Sequence, residues 1–178
     1  KQEPDIILQQ TVPAHWQRDK GKAVFLGLAS RYPKTTVVWA ANDLMAMGAL
    51  DGMQERHIEP GEHMLVGAID WTPEALQTVG QKRMVTTLGG HFMETAWVSV
   101  LLYDYFQNKD FGGEATRFKS EMTALSGSAS TVYLEKFRPE NFAKIDFRRF
   151  SKAWHPERTE YRFSFASVME QISPPVRK

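Results

Sequence analysis

Over the first 110 residues, short runs of β-branched and apolar residues alternate with longer stretches of helical spacing, and this rhythm constrains the fold most. It specifies βα units, that is, a parallel sheet flanked by helices. Ile6–Leu8 is the first strand candidate. A helix is expected from about Gln17 to Tyr32, with Val24, Phe25, Leu28 and Tyr32 as its buried stripe. Pro33 ends it, because proline disfavours helical geometry in the residue before it. Thr35–Ala41 reads as a central strand. Asn42-Asp43 opens a helix running to about Arg56, with Asp43 read as its N-cap. Ala46, Gly48, Ala49 and Gly52 would let that helix pack closely on a sheet. Met64–Ile69 and Met84–Leu88 are the next strands, with a short helix from Pro73 to near Gly80 between them. Residues 92–106 form a strongly apolar helix with Trp97, Leu101 and Tyr105 on one face.

The fold expected from this is α/β, a three-layer Rossmann-like parallel sheet. After Asn108 the rhythm breaks. Gly112-Gly113 marks a loop, Arg117–Met122 a strand, Ser128–Phe137 a short helix, and residues 138–178 an extended tail with short local structure. Charge changes there too. Residues 1–135 carry 12 basic and 16 acidic side chains, whereas residues 136–165 carry 8 and 4. Aromatics between the basic residues could suggest a nucleic-acid surface. The better reading is an irregular segment anchored on a core by its rings, since Glu140, Asp146, Glu157 and Glu160 interrupt the run.

Composition narrows the chemistry. The absence of cysteine excludes disulfides, thiolate zinc sites and cysteine nucleophiles. No apolar run approaches the roughly 20 residues of a membrane-spanning helix. The five histidines lie far apart, without helical zinc-site spacing. His91 with Glu94 supplies two metal ligands, which do not define a site. Asp110-Phe111-Gly112 copies a kinase triplet without the other kinase signatures. Ser126-Gly127-Ser128 is not a nucleophile elbow. An enzyme reading has no positive support, and no metal or cofactor is implied.

The ends of the strands carry the functional signal. In open α/β sheets, ligands bind in the crevice beyond the strand carboxyl ends. Here Trp16 lies in the loop after the first strand candidate, Asn42 after the second, and Asp70-Trp71 after the third. A carboxylate, an amide and an indole suit a polyhydroxylated ligand: the polar groups bond hydroxyls and the ring packs on C–H faces. Asn42 also suits a turn, and Trp16 ordinary packing.

Tyr32-Pro33 with the run Val37-Val38-Trp39-Ala40-Ala41-Asn42-Asp43-Leu44-Met45-Ala46-Met47-Gly48-Ala49-Leu50 resembles a signature of the type I periplasmic binding proteins. Gly67-Ala68-Ile69-Asp70 with Pro73-Glu74-Ala75-Leu76, and Met84–Thr87, resemble further elements of that superfamily. The likeness covers about residues 5–110. The tail, with Ile145–Ser151 and Tyr161–Ser164, is similar to sugar-binding transport proteins related to the autoinducer-2-binding protein.

The resemblance implies two α/β lobes joined by three crossovers, with ligand held between them. Residues 1–89 would be an incomplete C-terminal lobe, 90–125 a segment packing with the N-terminal lobe, and 126–178 a hinge segment and tail. It further implies a chain about half the length of a complete receptor. Carried over by position, Trp16 would stack on the sugar while Asn42 and Asp70 bond its hydroxyls. Gly89 stands where ribose binders have glutamine, so the ligand is not expected to be ribose. Trp71 would narrow the pocket, and His91 would supply a compensating polar group. The implied partners are a sugar or polyol and an ABC permease or membrane sensor, in the periplasm, without nucleic acid or membrane embedding. The alternative is the effector domain of a LacI-type regulator, although the chain contains no helix-turn-helix segment.

Overall fold

The computed structural model describes residues 6–109, 122–137 and 139–172. They form two compact units. The first comprises Lys1–Leu88 with Ala124–Ser130, and the second Gly89–Thr123 with Thr131–Lys178. The chain therefore passes from one unit to the other three times.

The first unit alternates helix and strand as the rhythm demands: α1 (Arg18–Arg31), β1 (Val37–Trp39), α2 (Asp43–Glu55), β2 (Leu65–Ile69), α3 (Pro73–Gly80) and β3 (Thr86–Gly89). With β4 (Thr123–Leu125), the strands form a sheet of order β1-β2-β3-β4. β1 pairs parallel with β2 in the register Val37↔Leu65, and β2 with β3 in the register Gly67↔Thr86. The Thr86 hydroxyl donates to the Leu125 carbonyl at 2.9 Å. Val38, Ala40, Val66 and Ala68 turn one face of the sheet into a core shared with Phe25, Ala46, Leu50, Met53, Ala75 and Val79. On the other face Val37, Trp39 and Leu65 are exposed, and the Trp39 ring lies over Gly67, where an added Cβ would come within 3.0 Å of Cε3.

Contact between α1 and α2 decides several details that periodicity misassigns. The buried positions of α1 are Gly21 and Phe25, with Leu26 and Ala29 against the core, instead of the Val24, Leu28 and Tyr32 stripe. Gly48 and Gly52 do not face the sheet. A Cβ on Gly48 would lie 2.0 Å from the Arg18 carbonyl oxygen, and one on Gly52 would lie 2.6 Å from Phe25 Cδ1. The glycines thus admit the neighbouring helix, while Ala46 and Ala49 meet the core. The N-cap of α2 is Asn42, whose Oδ1 accepts from Met45 N at 2.9 Å, and not Asp43, which is drawn into the interior. Ile6–Leu8 is no strand. The three residues are 74–84% exposed, and the segment after them is tied by side chains, Thr35 to Gln9 and Tyr32 to Gln10. A strand needs a neighbour's backbone ladder, and these residues find none.

The second unit contains α4 (Glu94–Phe106), preceded by a 3-10 turn at His91–Met93. α5 (Ser128–Lys136) begins in the first unit and continues into the second; α6 (Pro139–Phe142), a 3-10 turn at Phe147–Phe150 and α7 (Phe165–Ile172) follow. Its core joins Met93, Trp97 and Val100 to Ile145, Phe150, Tyr161, Val168 and Ile172. The Trp97 ring stacks on Phe163 at 5.0 Å and meets Phe150 edge-on at 4.9 Å. The aromatic tail is therefore anchored on α4. Tyr105 is exposed and Asp104 takes the buried place on that face, because the carboxylate gathers donors from the tail. Strand Arg117–Met122 falls outside the described residues except Met122, which precedes β4. Gly112-Gly113 and Asp110-Phe111-Gly112 also lie outside them.

Candidate ligand site at the strand ends

At the carboxyl ends of β1 and β2, the dipeptide Asn42-Asp43 ties the Trp16 loop to the β2–α3 turn through hydrogen bonds. Asn42 is 7% exposed. Besides capping α2, it donates from Nδ2 to the Trp16 carbonyl at 3.4 Å. An amide nitrogen carries two hydrogens, so this contact uses one of them. Trp16 itself is 64% exposed and sits at φ 63°, next to His15 at φ 53°. A large indole held outward on left-handed backbone is costly unless its surroundings fix it. Arg18 contributes to that fixing. It forks onto Asp51 through Nε (2.7 Å) and Nη2 (2.9 Å), and reaches Glu74 through Nη1 at 2.9 Å, tying the start of α1 to α2 and α3.

Asp43 is 0% exposed and receives three hydrogen bonds. Thr72 donates its backbone N–H at 2.7 Å and its hydroxyl at 2.9 Å to Oδ2, and the Thr87 hydroxyl donates to Oδ1 at 2.7 Å. Burial pushes this carboxyl above the ordinary aspartate range. The three donors oppose the shift and the nearby charge of Asp70 adds to it. The Thr72 hydroxyl also accepts from Ala75 N at 3.4 Å, capping α3, whose first residue is Pro73.

Asp70 and Trp71 occupy the turn between β2 and α3, at φ 132° and 64°. Each such residue costs on the order of 1–3 kcal/mol unless the surrounding structure overrides it. Asp70 N–H donates to the Leu88 carbonyl at 2.7 Å, which extends the β2–β3 ladder by one residue. Its side chain is half-buried at the strand end. Trp71 is only 5% exposed, and its Nε1 donates to the Thr87 carbonyl at 2.9 Å. The Trp71 ring is thus packed into the protein, with its indole N–H spent on the β3 backbone.

Trp16, Asn42, Asp70 and Trp71 lie in the first unit, with Asn42 bonded to the Trp16 carbonyl and Asp43 to Thr72, the residue after Trp71. His91 lies in the second unit, opening the 3-10 turn after Gly90 at φ 103°. Sequence reasoning missed Asp43 and its partners Thr72 and Thr87. The available signal was a carboxylate placed one residue inside a helix whose cap was already supplied by Asn42. Among the described residues no group of three histidine, aspartate or glutamate side chains could hold a metal ion. No helix among them is long and apolar enough to cross a membrane.

No protein-family model matches the chain. Over 77 residues it is 31% identical to the galactofuranose-binding protein YtfQ of Escherichia coli (strain K12), a match covering 42% of this chain and 24% of that protein. A periplasmic sugar-binding protein from Pseudomonas fluorescens superposes with a TM-score of 0.80 at 29% identity, covering 94% of this chain and 51% of that one. A second solved structure, a galactofuranose binding protein, gives a TM-score of 0.69 at 21% identity over 75% of this chain and 45% of its own. The chain spans about half the length of these solved structures. All three are named for binding a sugar, and none for transforming one. In fold and, over the matched stretch, in sequence, this chain is similar to periplasmic sugar-binding proteins.

Proposed function

We propose that the strand ends of the first unit form a sugar-contacting wall of a periplasmic solute receptor that presents its ligand to an ABC importer or a membrane sensor. The observation that supports this reading is that Asn42-Asp43 ties the Trp16 loop to the turn carrying Asp70, at the carboxyl ends of β1 and β2. The exposed Trp16 ring offers an apolar face to C–H groups. Asn42 offers its second N–H, and Asp70 accepts hydroxyl hydrogens. The names of the similar proteins support a sugar as the ligand class, with furanose forms among the first to try. Binding requires no chemistry: differential affinity for one arrangement of the receptor shifts its population.

The test is calorimetry of the 178-residue chain with methyl galactofuranoside, L-arabinose and D-allose. Weak heat is expected, saturating only towards the highest sugar concentrations, because one wall of the two-lobed cleft that the resemblance implies binds alone. It should disappear in Trp16→Ala. Asp70→Ala should weaken binding roughly ten- to a hundred-fold, the loss of a charged hydrogen bond worth about 1.5–3 kcal/mol. Undiminished binding in Asp70→Ala would sink the assignment of that residue. Absence of any saturable heat at sugar concentrations of tens of millimolar would sink the reading of the wall as a sugar site on this chain.

A further inference from the structure

We propose that Asp43 is a positioning residue that sets the Asp70–Trp71 turn in its ligand-ready shape, an inference that rests on reading Asp70 as a ligand anchor. The geometry is a closed ring of bonds. Asp43 Oδ1 accepts from the Thr87 hydroxyl; the Thr87 carbonyl accepts from Trp71 Nε1; Trp71 leads by one peptide to Thr72; and Thr72 N–H and Oγ1 return to Asp43 Oδ2. The ring closes across α2, the β2–α3 turn and β3, and the turn it fastens contains the two consecutive left-handed residues, Asp70 and Trp71.

Chemistry explains why an aspartate stands there. The three groups that face Asp43 are all donors in this arrangement, and Thr72 Oγ1 must spend its hydrogen on Asp43 to keep a lone pair for Ala75 N at the start of α3. A carboxylate is the side chain that accepts from all three at once. Remove it and the Thr72 N–H loses its acceptor and its hydroxyl can turn elsewhere, so the tie between the turn and the start of α2 is lost. Asp43 does not touch ligand in this scheme. It acts through Thr72 and Trp71 on the direction in which Asp70 points. The neighbouring Asn42 does the same for the Trp16 loop through the Trp16 carbonyl. One dipeptide at the start of α2 therefore fixes both loops of the candidate site.

The experiment labels the chain with 5-fluorotryptophan and follows its five tryptophans by fluorine NMR, with Trp71→Phe identifying the Trp71 line. Asp43→Ala should displace or broaden the Trp71 line and speed exchange of the Thr72 amide at least ten-fold, while the Trp97 and Trp154 lines of the second unit stay in place. Asp43→Asn should return the Trp71 line most of the way, since Thr87 can reverse its hydroxyl and accept. Met53→Ala, a cavity in the far part of α2, is the control for lost stability and should leave the Trp71 line where it was. If Asp43→Ala does not fold, Thr87→Val opens the ring on one side within an intact core and is expected to move the same line. An unmoved Trp71 line with unchanged Thr72 exchange overturns the proposal, and so does an equal displacement in Met53→Ala. Calorimetry with methyl galactofuranoside separates this from the sugar reading. A displaced Trp71 line in a chain whose wild type binds no sugar keeps the positioning role and removes the function it was meant to serve.

Discussion

Asp43 in the first unit and Asp104 in the second are both carboxylates without exposed surface, each collecting several hydrogen bonds, yet they sit in opposite kinds of surroundings. The partners of Asp43 come from regular elements, the N-cap of α3 and strand β3, which the fold already places there. The partners of Asp104 are the Ser151 hydroxyl, Lys152 N at 2.6 Å, Ala153 N at 3.2 Å and the Tyr161 hydroxyl at 2.9 Å, all from a tail with no ladder of its own. In the first unit the fold exists and the aspartate selects the conformation of one turn. In the second, the aspartate supplies the tail with a substitute for secondary structure. Similar bonds thus tune a site in one place and hold up a fold in the other.

The largest expected effect breaks this contrast at its structural end. Asp104→Ala leaves two backbone N–H groups and two hydroxyls without their acceptor, a loss of about 3–5 kcal/mol for a buried, multiply bonded charge. Hydrogen exchange should show the Lys152 and Ala153 amides unprotected and the first unit unchanged. Retained protection at both amides would mean that the aromatic cluster around Trp97 holds the tail by itself. Next comes Gly48→Ala, which puts a methyl into the Arg18 backbone and forces α1 off α2, at a cost of about 1–3 kcal/mol. Urea melts should report this loss, and the Trp16 fluorine line should move with it because α1 begins two residues later. Gly27→Ala is the smaller counterpart on the same helix. Its Cβ meets nothing within 4 Å, so the substitution should stabilise the chain by roughly 0.5–1 kcal/mol and leave Trp16 undisturbed.

These glycines also show where the sequence was legible. Ile6–Leu8 and β4 aside, periodicity placed the helices and strands of the first unit to within a few residues, because β-branched runs and caps act locally. It could not say which face of α1 is buried, since Gly21 and Phe25 win that face only when Gly48 and Gly52 stand opposite. The same limit hid Asp43. Its position inside a helix start suggests a cap, and only the fold, which brings Thr87 of β3 and the α3 cap Thr72 to one carboxylate, reveals a different use. In the second unit, the apolar pattern of 92–106 gave the helix but not Asp104 as its buried residue. Donors some 50 residues further along decide that. At the site, Asn42 and Asp70 were legible as residues following strands, whereas Trp16 follows no strand and the burial of the Trp71 ring depends on the Thr87 carbonyl.

Acid sharpens the comparison within the first unit, where two carboxylates are shifted in opposite directions. The Arg18 guanidinium holds the Asp51 carboxyl below the usual aspartate range, whereas burial raises that of Asp43. The signs follow by linkage. Asp51 contributes stability that is complete above the unfolded aspartate value, about 3.9, and is lost as pH falls through its lower folded value. Asp43 binds its proton more readily folded than unfolded, so its protonation favours the folded state as pH falls through its raised folded value. Asp51→Asn should therefore cost only about 0.2–1 kcal/mol at neutral pH, as for other partly exposed pairs, and the gap to wild type should close on the way to about pH 3. For Asp43→Asn the difference from wild type should change in the other direction over the same titration, with wild type gaining relative to the variant. Urea midpoints at successive pH values read both slopes, and Lys152 amide exchange reports whether the second unit stays out of it. Two slopes of the same sign would mean that the three donors outweigh burial at Asp43, and the contrast between the buried Asp43 and the ion-paired Asp51 would lose its electrostatic basis.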